Sequence, residues 1–316
     1  MHLRLIVPSD RTDTVVDCLV DDPRVTNVTL LPGAGKDPAG DLVHCDVTRE
    51  ATSDVLDWLN GERLYDEGAV AISEVTAAPS RNARATEEAA PGAPDDAVVW
   101  DAVIDQSYSE ARGSWAYYTF LTIATLIASV AVVTDSSILV VGAMVVGPEF
   151  GVVAALAVGI ALGRACLSWR SAVLLVQGFG VAIVLAMAAA LLARAVGWVS
   201  IDDVTAARPL TGFIWRPDRW SLVVAVLAGC AGVLSQTAGR ANALVGVFIS
   251  VTTVPAAGEL ALATALGAWG QVGGAATQLG INLLGMTLAG VGTLLTQRVL
   301  WHTFVNSRLG HPAHTP

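Results

Sequence analysis

Charge is scarce in this sequence: only 15% of its 316 residues are Asp, Glu, Lys or Arg, while 53% are hydrophobic. A soluble globular domain carries about 25% charged residues, so the composition excludes a disordered chain, a coiled coil and a disulfide-stapled secreted domain, and points to a membrane protein. Paired cysteines are missing too. Cys18, Cys45, Cys166 and Cys230 are far apart, form no CxxC pair and have no histidine at metal-ligand spacing, so they read as small hydrophobes in a reducing compartment. There is no HExxH, no GxSxG and no GxxxxGK[ST]; His2, His44, His302, His311 and His314 all fall outside the apolar runs. The sequence therefore gives no reason to expect an enzyme, a metal or a cofactor. MHLRLIVPSDRTD turns polar within eight residues and has no signal-type apolar core.

The charges that exist are unevenly placed. Residues 1–112 hold 9 Lys/Arg against 22 Asp/Glu, net −13, and residues 113–316 hold 9 Arg against 6 acids, net +3. An acidic first third offers no basic face for nucleic acid. Within it, alternation predicts strands at 2–7, 24–31, 41–47 and 69–76, and helical periodicity predicts helices at 11–21 and 50–60. The order β-α-β-β-α-β is the ferredoxin-like split pattern over residues 1–76. Pro32–Gly35 reads as a chain break and PGAGKD as a loop beside a hairpin, the alternative being a nucleotide cradle. Residues 77–96, rich in Ala, Pro and charge without periodicity, read as a disordered linker, and 97–112 as an amphipathic juxtamembrane helix lying on the membrane surface or on a partner subunit.

From 113 to 301 the chain reads as a transmembrane domain, followed by a polar tail at 302–316. A crossing helix needs about 20 apolar residues. Six segments qualify: 116–134, 136–163 with Glu149 as its one charge, 171–193, 220–239, 241–268 with Glu259 as its one charge, and 270–297. Trp115, Trp169, Trp198, Trp215, Trp220, Trp269 and Trp301 mark the ends of these segments, as interfacial anchors do. Arg112, Arg164, Arg170, Arg240, Arg298 and Arg308 fall on the side of both termini, and Arg194, Arg208, Arg216 and Arg219 on the other. That bias puts the termini in the cytoplasm of a multi-pass inner (cell) membrane protein.

The second and fifth segments resemble each other. VVGAMVVGPEFG (140–151) and VGVFISVTTVPAAGE (245–259) each run from Val-Gly through apolar residues to a proline among small or hydroxyl residues, then a glutamate. Each is the middle of three segments, and two odd-numbered repeats in tandem have inverted topology. Broken helices in corresponding positions are a transporter pattern. The candidate pathway residues are Asp135, Pro148, Glu149, Ser250, Thr252, Thr253, Pro255, Glu259, Gln278 and Asn282. An acid within a span is a functional candidate by default, although Glu149 also complements a helix dipole after Pro148, and Glu259 lies near enough to a span end to snorkel. Gln278 and Asn282, four apart, serve equally as interhelical glue. Gly229, Gly232, Gly285 and Gly292 read as packing residues.

The stretch from Asp135 to Pro148, with its Gly-Ala-Met and closing proline, resembles the motif of prokaryotic membrane proteins classed as domain of unknown function 389. GVFISVTTVPAAGELALA (246–263) looks like the second motif of that family, and Asn282-Leu283 like its closing segment. The resemblance covers about residues 98–300 and implies architecture rather than activity. Asp135 stands where that family commonly has Asn, Ser137 where it has Pro, Glu149-Phe150 where it has an apolar pair, and Val254 where it has a second Pro. The reading is a transporter or channel-like permease for a small solute or cation, gated by its cytoplasmic domain and assembled as a homo-oligomer (dimer or trimer). The alternative is a non-transporting sensor or scaffold whose first domain binds a metabolite.

Overall fold

The computed structural model describes residues 1–90, 97–238 and 252–308, with side chains as far as residue 300. Residues 1–103 belong to one compact unit and residues 104–300 to a second.

The first unit begins with β1 (His2–Val7), α1 (Thr12–Asp21), β2 (Val25–Lys36) and β3 (Ala39–Val47), and continues with α2 (Arg49–Gly61), the short α3 (Leu64–Glu67) and β4 (Ala69–Ser73). The sheet order is β2-β3-β1-β4, antiparallel throughout, with Leu3 opposite Cys45 and Leu5 opposite Val43. This is the order that a split β-α-β pattern produces. Strand alternation turns Leu3, Leu5 and Val7 of β1 and Val43, Cys45 and Val47 of β3 to one face. There they pack with Val15 and Leu19 of α1 and with Ala51, Val55, Leu56 and Leu59 of α2.

Three sequence expectations change here. The Pro32–Gly35 break is an irregularity inside a longer strand: β2 continues to Lys36, with register shifts before Thr29 and before Gly35. Gly33 supplies a φ of +62°, its N–H donates to the Asp41 carboxylate at 2.7 Å, and a side chain on Gly40 would collide with the Val7 carbonyl. Secondly, residues 81–89, expected as part of a disordered linker, form helix α4 (Arg81–Ala89); Ser80 caps it by accepting from the Ala83 N–H at 3.1 Å. Residues 91–96 of that stretch lie outside the described residues. Thirdly, the start of the expected juxtamembrane helix belongs to this unit. Val99 joins its core, the Arg49 Nε–H donates to the Ala97 carbonyl at 3.1 Å, and the Ser53 hydroxyl donates to the Val98 carbonyl at 3.1 Å. Helix α5 (Trp100–Glu110) follows.

The second unit is helical. Its elements are α6 (Trp115–Val133), α7 (Ser137–Val146), α8 (Glu149–Ala161), α9 (Ala165–Ala195) and the short α10 (Ile201–Thr205). A 3-10 turn (Gly212–Trp215), α11 (Arg219–Thr237), α12 (Thr253–Leu266) and α13 (Trp269–Arg308) complete it. Among the described residues four helices (α6, α9, α11 and α13 to Leu300) are long and apolar enough to cross a membrane, and α7 with α8, bent by 53°, passes the same test as a pair. These agree with five of the six expected segments. Of the segment at 241–268, residues 252–268 lie among the described residues, and α12 alone is shorter than a span. Helix α13 continues to Arg308, into the stretch expected as a tail. Trp115, Trp169, Trp198, Trp220 and Trp269 are all exposed at helix ends.

Small residues let these helices approach. A Cβ on Gly258 of α12 would lie 2.8 Å from Ala128 and 2.9 Å from the Ser129 nitrogen of α6, and the Ser129 hydroxyl donates to the Gly258 carbonyl at 3.2 Å. On α11, Gly229 faces Met286 of α13, and Gly232 faces the Phe150 ring of α8 with no room for a methyl group. Gly285 meets Ala225, so three of the four glycines expected to pack do so; Gly292 has nothing within 4 Å.

Candidate functional site

The first break lies between α7 and α8. Pro148 has no N–H to give to the helix ladder, and Gly147, at φ −69° and ψ 128°, takes the extended conformation that the residue before a proline favours. α8 then restarts at Glu149. The Glu149 side chain is buried, and its Oε2 has no hydrogen-bond partner among the described residues. It packs against Gly147. A Cβ on Gly147 would also lie 2.8 Å from Val254 Cγ2, so the residue before Pro148 abuts the residue before Pro255. The two proline positions, 107 residues apart in the chain, therefore meet in the bundle.

The start of α12 brings together three of the expected residues. Gln278 Nε2 donates to the Thr252 hydroxyl at 3.0 Å and to Asn282 Oδ1 at 3.3 Å, and Asn282 Nδ2 donates to the same hydroxyl at 3.1 Å. Gln278 Oε1 and the Thr253 hydroxyl are buried without partners among the described residues. Unpaired buried polar atoms cost about 1–3 kcal/mol each, and they gather here around one helix start. Pro255 is buried within the first turn of α12. Ser250 lies outside the described residues.

A cavity of about 200 Å³ adjoins the first break, lined by Pro148, Tyr117, Glu110, Arg112, Ser109 and Ser114 among others. The buried Tyr117 hydroxyl has no partner among the described residues. Glu110, at the end of α5, packs its carboxylate against Gly151 in the first turn of α8. Burial pushes the Glu110 carboxyl above the ordinary carboxylate range. Neither Glu110 nor Tyr117 stood out in the sequence, because one ends a polar helix and the other begins a span.

Glu259 and Asp135 are placed differently from expectation. Glu259 does not snorkel: its side chain is fully buried and forks onto Arg208, with Nη1 to Oε2 at 2.7 Å and Nη2 to Oε1 at 2.8 Å. Arg208 Nη2 also donates to Gln271 Oε1 at 3.1 Å, and Gln271 Nε2 donates to the Val204 carbonyl at 3.0 Å. Arg208, expected in an aqueous loop, is thus the counter-ion of an acid inside the bundle. Val204 and Ile214, both fully buried, draw the 196–218 loop in with it. Asp135 stands at the α6–α7 turn with φ 44°, a left-handed position that Asp and Asn tolerate. Its Oδ1 accepts from the Thr211 N–H at 2.9 Å and the Thr211 hydroxyl at 2.8 Å. The ten expected residues therefore do not form one pocket. Glu149 and Pro148 lie at the α7–α8 break and Thr252, Thr253, Pro255, Gln278 and Asn282 around the start of α12, whereas Asp135 and Glu259 hold a loop.

No curated protein and no solved structure matches the chain. The scan against protein families does find one, described as Domain of unknown function (DUF389), over residues 144–288. That interval starts on α7, contains Pro148, Pro255 and the whole Arg208–Glu259 loop contact, and ends on α13 beyond Gln278 and Asn282. Over residues 144–288 the chain is similar to the DUF389 family.

Proposed function

We propose that the chain is a membrane transporter or channel-like permease for a small solute or cation, with Glu149 as the acid at its centre. The observation that carries this reading is the Glu149 carboxylate, buried with one oxygen unpartnered among the described residues, at a helix break that abuts the first turn of α12. Irregular backbone at membrane depth is tolerated where it lines a cavity or is buried in protein, and an intramembrane acid with no counter-ion is suited to a cation or a proton. Because Arg208 neutralises Glu259, one acid rather than two is free for that role.

The reading includes two inverted triplets, α6/α7–α8/α9 and α11/the segment ending in α12/α13. The half-helix after Pro255 lies on Ala128 and Ser129 of α6, in the other triplet. The half-helix after Pro148 puts Phe150 on Gly232 of α11 and Ala157 near Gly290 of α13, a Cβ there lying 3.1 Å from the Ala157 methyl. α12 thus packs on α6 of the other triplet, while α8 packs mainly on α9 of its own and also reaches α11 and α13. The acidic first unit serves as a regulatory module on the cytoplasmic side, and the assembly is a homo-oligomer.

The test is uptake into proteoliposomes of rubidium, sodium and guanidinium, with internal pH followed by a trapped dye. Glu149→Gln is expected to lower the flux at least tenfold and to flatten its pH dependence. Equal flux and equal pH dependence in the wild type and the variant sink the acid-centred mechanism.

A further inference from the structure

Residues 196–218 join α9 to α11 and fold back into the bundle instead of arching over it. Four attachments hold them. Arg208 is forked by Glu259 of α12, at 2.7 and 2.8 Å. Gln271 of α13 bridges Arg208 to the Val204 carbonyl. Asp135 accepts from the N–H of Leu210 at 3.2 Å and from both donors of Thr211. Val204 and Ile214 are fully buried in an apolar cluster with Val140 and Met144 of α7 and with Leu262 and Leu266 of α12.

These attachments divide between the two triplets. Asp135 and α7 belong to the first, and Glu259, Gln271 and α12 to the second. The loop therefore ties the triplets together at the end of the bundle where α6 and α9 finish and α13 begins. The cavity beside Pro148 is lined from the opposite end, by the last residues of α5 and the first of α6. A carboxylate–guanidinium fork out of water is strong only while both partners stay in place. It holds a closed state firmly and releases in one step once water reaches it.

We propose that residues 196–218 are a gate closing one end of the bundle, with Arg208 on Glu259 as its latch. The proposal rests on the transport reading and adds which end is shut in this structure and what must part for it to open. When the gate opens, the fork breaks, Asp135 gives up Thr211, and the start of α12 becomes reachable from the loop side.

Accessibility tests this without any solute. The whole chain lacking its native cysteines carries Thr253→Cys, a buried reporter at the start of α12, in membrane vesicles of each orientation. An impermeant maleimide is added from the loop side or from the α5 side. Arg208→Gln or Glu259→Gln is expected to raise the labelling rate from the loop side at least tenfold and to leave that from the α5 side within twofold. A change below twofold from the loop side overturns the gate, and so does an equal rise from both sides, which would mean general loosening. If the glutamine variants do not fold, Arg208→Lys replaces them. It keeps the charge but not the fork, and a loop-side rise of at least threefold is expected, no rise overturning the proposal. Labelling reports the gate while flux reports transport, so a latch-dependent labelling change in a protein that moves no cation would refute the transport reading alone.

Discussion

At the scale of single residues, the pair Arg208–Glu259 behaves unlike any surface ion pair in the chain. Other ion pairs, such as Arg63–Glu67 and Arg24–Asp22, keep both partners partly open to solvent, and exposed pairs contribute about 0–1 kcal/mol. Arg208 and Glu259 are 4% and 0% exposed, so removing one partner strands a buried charge at a cost of about 3–5 kcal/mol. Arg208→Met should therefore lower the unfolding midpoint in detergent steeply, whereas Arg208→Met with Glu259→Leu should recover most of the loss. A double-mutant cycle by thermal unfolding measures this, and additive losses would mean that the fork does not bind the loop to α12. Glu149 was legible in the sequence as an acid in an apolar run. Arg208 was not, because its partner lies 51 positions away and nothing in a polar loop marks which arginine turns inward. Glu110 and Tyr117 were illegible for the related reason that a cavity is a property of several helix ends at once.

At the scale of elements, composition marked the helices while contact decided their faces. The limits of α6 and α11 follow the apolar runs closely, since the hydrocarbon thickness and the interfacial tryptophans leave little freedom, whereas α9 begins at Ala165, six residues before its run. The kink was legible from Pro148, but not that Val254 meets Gly147, which needs the bundle assembled. Glycine roles separate in the same way. Gly232 and Gly292 are both helical and look alike in the sequence. A methyl group on Gly232 would overlap the Phe150 ring, while one on Gly292 meets nothing within 4 Å. Gly232→Ala should cost about 1–3 kcal/mol through overpacking, and Gly292→Ala should leave stability unchanged or slightly raised through helix propensity. Thermal unfolding of the two variants in the same detergent checks this. Equal effects would show that α11 does not pack on α8 through Phe150.

At the scale of the whole molecule, charge separates two units with different solvents. The split of −13 against +3 anticipated a polar unit followed by an apolar one, and the sheet order of the first followed from period-two alternation. Its extent beyond residue 76 did not, because Val99 reads as part of the next helix until it is seen in the core. A unit with its own core should fold alone, so residues 1–103 are expected to give a soluble, cooperatively unfolding domain. Its stability should depend on acid through Asp41. The Thr12 hydroxyl, donating at 2.6 Å, and the Gly33 N–H hold the Asp41 carboxyl below the ordinary aspartate range. A depressed native pKa means that the unfolded chain takes up the proton first. Asp41 therefore contributes fully above the ordinary aspartate pKa, and its contribution is lost as pH falls through that value to the lower native one. Thr12→Val removes the largest cause of the depression. The variant should be less stable than the parent at neutral pH, and the two urea-unfolding curves should converge as the pH is lowered through the carboxylate range. A difference that stays constant with pH would assign the effect of Thr12 to packing and leave Asp41 without a part in it.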